Sequence, residues 1–190
     1  LLWTELSINL SNSTKVSEVH KNSQMPSELN FQESLVELDR LIDSSVQRRL
    51  AGDVEVGCLL SGGIDSSLVA YYASKNISKL RTYSAGFEDA NFDESIYAER
   101  TAKYIGTKHE TVHVNDKNAL DYLTSINDVF SEPFADTSQI PTFILCKHVG
   151  NAMKVALTGD GADEIFRGYT RYQTVPKLNK ILKYLPTQSV

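Results

Sequence analysis

From Phe31 onward, apolar residues recur at three- and four-residue steps. Phe31, Leu35, Leu38, Leu41, Ile42, Val46 and Leu50 fall on one helical face, and the helix they predict ends near Gly52. Residues 54–60 then form an apolar run of strand length that leads directly into Ser61-Gly62-Gly63 and a helix-like stretch over residues 65–74. The alternation repeats: strands near 80–86 and 110–114, helices near 93–105, 118–129 and 141–149, and a last apolar run at 154–157. Four strands separated by helices predict right-handed crossovers and an α/β fold, a parallel sheet with helices on both faces. Sheets of this kind take ligands at the C-terminal ends of their strands. Residues 1–30 are rich in Ser and Asn, carry Pro26, show no sustained apolar period and are expected to be a polar linker.

Composition narrows the function classes. The chain has 190 residues, 41% of them apolar, enough for one domain or a piece of a larger one. A net charge of −5 offers no basic stripe for a phosphate backbone, so nucleic acid is not an expected partner. Cys58 and Cys146 make neither a disulfide framework nor a metal-ligand spacing. No apolar run reaches the roughly 18 residues of a membrane span, and the N-terminus lacks a signal-peptide pattern. The expectation is a cytoplasmic protein with no membrane partner. His20, His109, His113 and His148 share no ligand spacing and receive no role.

Candidate chemistry sits at two strand ends. At the first, Ser61-Gly62-Gly63-Ile64-Asp65-Ser66-Ser67 leaves a strand and enters a helix, where successive backbone N–H groups and the helix dipole favour an anion. Gly62 and Gly63 let the backbone approach a phosphate, and Ser61, Ser66 and Ser67 can donate hydroxyl hydrogens. Asp65 would repel a phosphate unless a cation such as Mg²⁺ lies between them; as a simple helix cap it would need neither. The Gly-x4-Gly-Lys-Ser/Thr spacing of a Walker A loop is absent. At the second strand end, Thr158-Gly159-Asp160-Gly161-Ala162-Asp163-Glu164 gathers three carboxylates within five residues, costly unless cations or a substrate amine share the site. An acidic first turn of an ordinary helix remains the other reading.

Together these stretches carry a resemblance. The run from Leu59 to Ser67 resembles the PP-loop of the N-type ATP pyrophosphatases, and Thr158 to Glu164, continuing to Gly168-Tyr169, resembles the Ser-Gly-x-Gly-x-Asp-Glu…Gly-Tyr signature of the glutamine-hydrolysing asparagine synthetases. Ser84-Ala85-Gly86-Phe87 with Asp93-Glu94, Gly106-Thr107-Lys108-His109-Glu110, and Glu132-Pro133-Phe134-Ala135-Asp136 with Ile140-Pro141-Thr142 resemble further family segments.

The resemblance implies an adenine nucleotide alpha-hydrolase-like fold and a ligase. Such a ligase adenylates a small carboxylate with ATP, aspartate in asparagine synthetase, and lets ammonia displace AMP after pyrophosphate has left. It implies that Leu59 and Ala85 contact adenosine and that Ser61, Gly62, Gly63, Asp65, Ser66 and Ser67 cradle pyrophosphate. Asp65 and Asp163 would bind Mg²⁺, Thr158 and Gly159 would lie against the nucleotide, and Asp160 would stand where many relatives carry a Glu that assists the ammonia step. Asp160, Asp65 and Asp163 are thus the candidate catalytic residues. Arg167 departs from a common Gly or Ala. The resemblance also admits a homodimer, and Trp3 matches the Trp that follows the glutaminase domain. Another PP-loop pyrophosphatase, or a nucleotide-binding module without catalysis, is the alternative.

Full-length relatives begin with a glutaminase domain whose nucleophile is an N-terminal cysteine, whereas residues 1 and 2 here are leucines. Residues 31–190 are therefore expected to be the N-terminal part of a synthetase domain, with ammonia supplied by a glutaminase domain absent from this chain. The purified 190-residue chain should release no glutamate from glutamine in a coupled glutamate assay, because it lacks that nucleophile. Glutamate release above the blank would contradict this.

Overall fold

The computed structural model describes residues 30–123, 125, 129, 132, 136–166, 168–172, 174, 175 and 178. Apart from Asn30, the expected linker lies outside them, as do Trp3, His20, Pro133, Phe134, Ala135, Arg167 and part of the helix expected over 118–129. Ten elements follow in order: α1 (Phe31–Leu50), β1 (Val56–Leu59), α2 (Ile64–Asn76), β2 (Arg81–Phe87), α3 (Ser95–Ile105), β3 (Lys108–Val114), α4 (Asp116–Leu123), α5 (Gln139–Gly150), β4 (Val155–Leu157) and α6 (Ala162–Phe166).

The start of α1 is chemically defined. Asn30 Oδ1 accepts from Glu33 N at 3.0 Å and Glu33 Oε2 accepts from Asn30 N at 2.8 Å, a reciprocal capping box. Arg48 and Arg49 close the last turn, where cations suit the helix dipole. The apolar stripe of α1 is covered only in its C-terminal half. Val46 is buried and Ile42 and Leu50 pack against the core, whereas Phe31, Leu35 and Leu41 are exposed.

The strands form one four-stranded sheet, order β3-β2-β1-β4, with every pairing parallel. β3 begins at Lys108, earlier than the apolar pattern indicates, because pairing with β2 runs from Arg81↔Lys108 to Phe87↔Val114 irrespective of polarity. The chain steps outward from β1 to β2 to β3 and then returns to the other side of β1 for β4. The strand order therefore reverses beside β1, at the C-terminal end of β1 and β4.

Both faces of the sheet are covered. On one, Cys58 and Leu60 pack with Ala70, Tyr72 and Ala73 of α2, Ala98 and Ala102 of α3, and Val46 of α1. On the other, Tyr83 packs with Leu145 and Val149 of α5 and with Met153, flanked by Leu59, Ala85, Val112 and Ala156. The alternation of Cys58, Leu59 and Leu60 between these clusters is the period-two pattern of a strand buried on both sides. Among the described residues no helix is long and apolar enough to cross a membrane, and both cysteines are free.

Tyr72 ties α2 to α1: its ring is buried while its hydroxyl donates to Asp39 Oδ1. That bond, with burial, pushes the phenol up to about 12. A raised folded-state value means the contribution is complete below the unfolded tyrosine range near pH 10 and is lost as pH rises through about 12. Tyr72→Phe should lower unfolding free energy by about 1 kcal/mol in urea titrations at neutral pH, and by the same amount at pH 9. Asp39 is exposed and regains water in the variant, which keeps the cost small. An unchanged denaturation midpoint would show the bond to be without net value.

Candidate functional site

The first loop begins where β1 hands the chain over. The ladder reaches one residue past the strand, with Leu60 N donating to Tyr83 O at 2.7 Å, and Ser61 opens the turn. Gly62 has φ +83, and a Cβ there would lie 2.6 Å from Tyr97 Cβ and 2.8 Å from Ala98 N. Glycine is needed twice over, for the left-handed backbone and for the close seat against α3. Gly63 is the N-cap of α2 and makes no side-chain cap bond, so the first-turn N–H groups behind it have no acceptor within the helix.

The hydroxyls expected to face a phosphate are engaged inside the loop. Ser61 Oγ accepts from Gly63 N at 3.3 Å and lies 2.9 Å from the buried Ser66 Oγ. Ser66 Oγ in turn accepts from Ser61 N at 3.2 Å and meets Gly63 O at 3.3 Å. Ser67 Oγ donates to Gly63 O at 2.6 Å. In this structure the serines hold the shape of the loop.

The second loop leaves β4 and lies directly on the first. A Cβ on Gly159 would fall 2.5 Å from Ser66 N, 2.9 Å from Ser66 Cα and 3.0 Å from Asp65 C, so only a bare backbone fits against the start of α2. Asp160 N donates to Thr158 Oγ1 at 3.3 Å, and Gly161, at φ +91, turns the chain into α6. Gly168 N donates to Asp163 O at 3.1 Å, and a Cβ on Gly168 would collide with the Asp163 carboxylate. Tyr169 donates its hydroxyl to Glu164 Oε1 at 2.8 Å, which raises the phenol above its ordinary range.

Both loops open onto one cleft of about 1400 Å³. Of the residues singled out from sequence, Leu59, Ser61, Gly63, Asp65, Ser66, Ala85, Thr158, Gly159, Asp160 and Asp163 line it. Gly62 and Ser67 stand behind the wall, one seated on α3 and the other bonded to Gly63. Asp65 and Asp163 are the second residues of α2 and α6 and face the same cleft.

Sequence reasoning gave the opposite lip no named site residue, although Asp93-Glu94 and Ile140-Pro141-Thr142 there carry part of the resemblance. There Asp93 Oδ1 accepts from Phe87 N at 3.3 Å and Ser95 N at 3.0 Å, with Ser95 bonding first in lowering its carboxyl below the usual range. The loop so pinned brings Glu88, Asp89, Phe92 and Glu94 to the cleft, and Ser138 and Thr142 line it from the start of α5. Its signals in the sequence were the Asp93-Glu94 pair after β2 and the Ile140-Pro141-Thr142 run; Glu88, Asp89 and Phe92 carried none.

The described lining carries seven carboxylates, on Asp65, Glu88, Asp89, Glu94, Asp160, Asp163 and Glu164, and no Lys or Arg. An anionic ligand would therefore need a cation with it. Among the described residues no three His, Cys, Asp or Glu side chains are grouped to hold a metal on their own. Two carboxylates completed by phosphate oxygens and water suit Mg²⁺, which is bound in that incomplete way.

The asparagine synthase family model matches residues 37–189. An asparagine synthetase (glutamine-hydrolysing) 1 of Bacillus subtilis is 35% identical over 151 residues, covering 76% of this chain and 24% of the relative. The asparagine synthetase of Cricetulus griseus is 32% identical over 152 residues, covering 74% and 26%. The chain thus spans about a quarter of the length of these curated relatives. Among solved structures, an NH3-dependent NAD synthetase of Campylobacter jejuni is 14% identical at TM-score 0.49, over 75% of this chain and 62% of that one. A glutamine-dependent NAD⁺ synthetase of Acinetobacter baumannii is 19% identical at TM-score 0.48, over 77% and 29%. Likeness at that level says nothing of what this chain binds.

The seat of Gly159 can be tested without any ligand. Gly159→Ala should cost about 1–3 kcal/mol of stability by overpacking against backbone, read as a lowered thermal midpoint. Amide shifts should move at Asp65 and Ser66, the residues the new methyl meets. Unperturbed amides there would mean the two loops are not in contact.

Proposed function

We propose a function from one premise: the chain belongs to the asparagine synthase family. Residues 31–190 are the N-terminal part of a synthetase domain that adenylates a small carboxylate with ATP for attack by ammonia, releasing AMP and pyrophosphate. The observation that carries this reading is the contact of the two loops at the reversal of strand order, with Gly159 against Asp65 and Ser66. Family membership says which chemistry to expect, and that contact supports reading the two sequence motifs as parts of one site.

In this reading the triphosphate lies over the start of α2, where Gly63 leaves first-turn N–H groups without helical acceptors. Leu59 and Ala85 form the wall for adenosine, Ser61, Gly62, Gly63, Ser66 and Ser67 shape the pyrophosphate cradle, and Thr158 and Gly159 close the nucleotide from the β4 side. Asp65 and Asp163 would hold Mg²⁺, which when bound supplies the positive charge that the described lining lacks. Donors fixed around the leaving pyrophosphate would favour its departure electrostatically. Asp160, exposed at the mouth of the cleft, would receive a proton from the attacking ammonia. Ammonia reaches the site from a glutaminase domain, a source in keeping with relatives named as glutamine-hydrolysing, and the protein works in the cytoplasm.

The test is a double-mutant cycle. Isothermal titration should show MgATP binding to the chain, and Asp65→Asn or Asp163→Asn alone should weaken it by about tenfold or more. The double variant should lose less than the sum, because one cation site is being removed twice. Additive losses would leave the two carboxylates as separate helix caps. Pyrophosphate release on adding aspartate and ammonia distinguishes catalysis from binding.

A further inference from the structure

Gly168 is not part of the cleft wall, but it touches a residue that is. Glycine just past a helix end ordinarily serves a left-handed backbone. Gly168 does not, since the described glycines with positive φ are Gly62, Gly106 and Gly161. Nor is it held bare by nearby backbone. A Cβ at this position would come no closer to main chain than 3.5 Å, at Asp163 Cα, which is ordinary contact. What it would strike is the Asp163 carboxylate, whose Oδ1 occupies the place of the missing Cβ and whose Cγ lies 3.0 Å from it. The carboxylate therefore fills the room that the glycine leaves.

The two sides of this contact differ in stiffness. Gly168 N donates to Asp163 O at 3.1 Å, and Tyr169 donates its hydroxyl to Glu164 Oε1 at 2.8 Å, so the turn is bonded back to both members of the acidic pair on α6. Tyr172 N donates to Tyr169 O at 3.0 Å, and the Arg171 guanidinium lies 4.2 Å from the centre of the Tyr169 ring. The Asp163 carboxylate has no hydrogen bond to a described residue, and its direction depends on two rotatable bonds. A methyl group at position 168 would thus leave the turn in place and swing the carboxylate. Asp163, Glu164 and Tyr169 all line the cleft, so that swing moves charge at the ligand site while the backbone stays where it is.

We propose that Gly168 is a positioning residue for the cation site: by carrying no side chain it seats the Asp163 carboxylate in the direction that serves the cleft shared with Asp65. The inference rests on the MgATP reading above and adds to it a residue that lies outside the cleft lining. Two causes of glycine at a helix end are thereby separated. Gly161 is required by its own backbone, at φ +91, whereas Gly168 is required by its neighbour's carboxylate.

Gly168→Ala in the whole chain tests this. Its thermal midpoint should stay within about 2 °C of the wild type, because only a side chain has to move. In carboxyl-carbon NMR without nucleotide, Asp163 should shift while Glu164 and the Tyr169 ring keep their positions. Isothermal titration should show MgATP bound about tenfold more weakly, and adenosine, which brings no phosphate and needs no cation, bound equally by both chains. In an Asp163→Ala background the change at Gly168 should add nothing, because no carboxylate is left to displace. That background also carries the test should Gly168→Ala fail to fold alone: the double variant should then fold, and its failure overturns the proposal. An unmoved Asp163 carboxyl, an unchanged MgATP affinity, an equal loss of adenosine binding, or a further loss on top of Asp163→Ala overturns the positioning role and leaves the functional reading standing. A wild-type chain that binds no MgATP overturns the functional reading, and the cation role of Gly168 with it.

Discussion

The close seat of one loop on another organises this molecule. Gly159 lies on the first turn of α2 with no room for even a methyl group, and that contact exists because β4 pairs with β1 rather than extending the sheet beyond β3. Had β4 been added outside β3, two strands would lie between the loops and set them roughly 14 Å apart at ordinary strand spacing. The close packing also sets the electrostatic problem. Two helix starts converge with Asp65 and Asp163 in their first turns, so N-terminal dipoles and carboxylates share a small volume. The dipoles ease the carboxylates at each helix separately, but nothing in the described lining neutralises them together.

The fold was legible in the sequence wherever a single period dominated. Buried strands such as β1 read as short apolar runs bounded by glycine, and α1 announced itself through its spacing, whereas its Asn30–Glu33 cap emerged only in the structure. Legibility failed where pairing, rather than side-chain polarity, sets an element. β3 extends back to Lys108 because Arg81 of β2 offers a partner there. The stripe on α1 put Phe31, Leu35 and Leu41 on one face with Val46, yet those three are exposed, because periodicity says which residues share a face and not how far the neighbouring helix reaches along it.

The candidate site divides in the same way. Loops that follow strands directly could be located from glycine and carboxylate spacing, and with the positions that the family resemblance implied, such as Leu59 and Ala85, ten of the residues singled out line one cleft. The hydroxyls of Ser61, Ser66 and Ser67 read only as donors for a ligand, whereas each also has a partner within the loop. A hydroxyl both gives and accepts, so its residue type does not reveal whether it holds the ligand or the backbone that holds the ligand. The hydrogen-bonded seam of Thr82, Ser84, His109 and Thr111 between β2 and β3 was illegible for a further reason. Polar residues at alternate strand positions ordinarily mark a solvent face, and only tertiary cover by α3 turns them into a buried network.

That buried network and the carboxylate-rich cleft meet at the C-terminal end of β2. On the strand's α3 side the seam is satisfied by its own hydrogens, with Glu99 as its outlet to solvent. The cleft it borders has an excess of acceptors and, within the described lining, no cationic side chain. A wall built in this way is stiff toward the core and underdetermined toward the ligand. Rotating Ser84 costs a bond to His109 or to Thr111, whereas the carboxylates of Asp160 and Glu88 lie at the cleft without an ion pair to another described residue. Preorganisation is therefore concentrated on the strand ends and the α2 start, where a nucleotide's fixed parts would lie. The charge needed to neutralise the cleft is left to whatever enters with it.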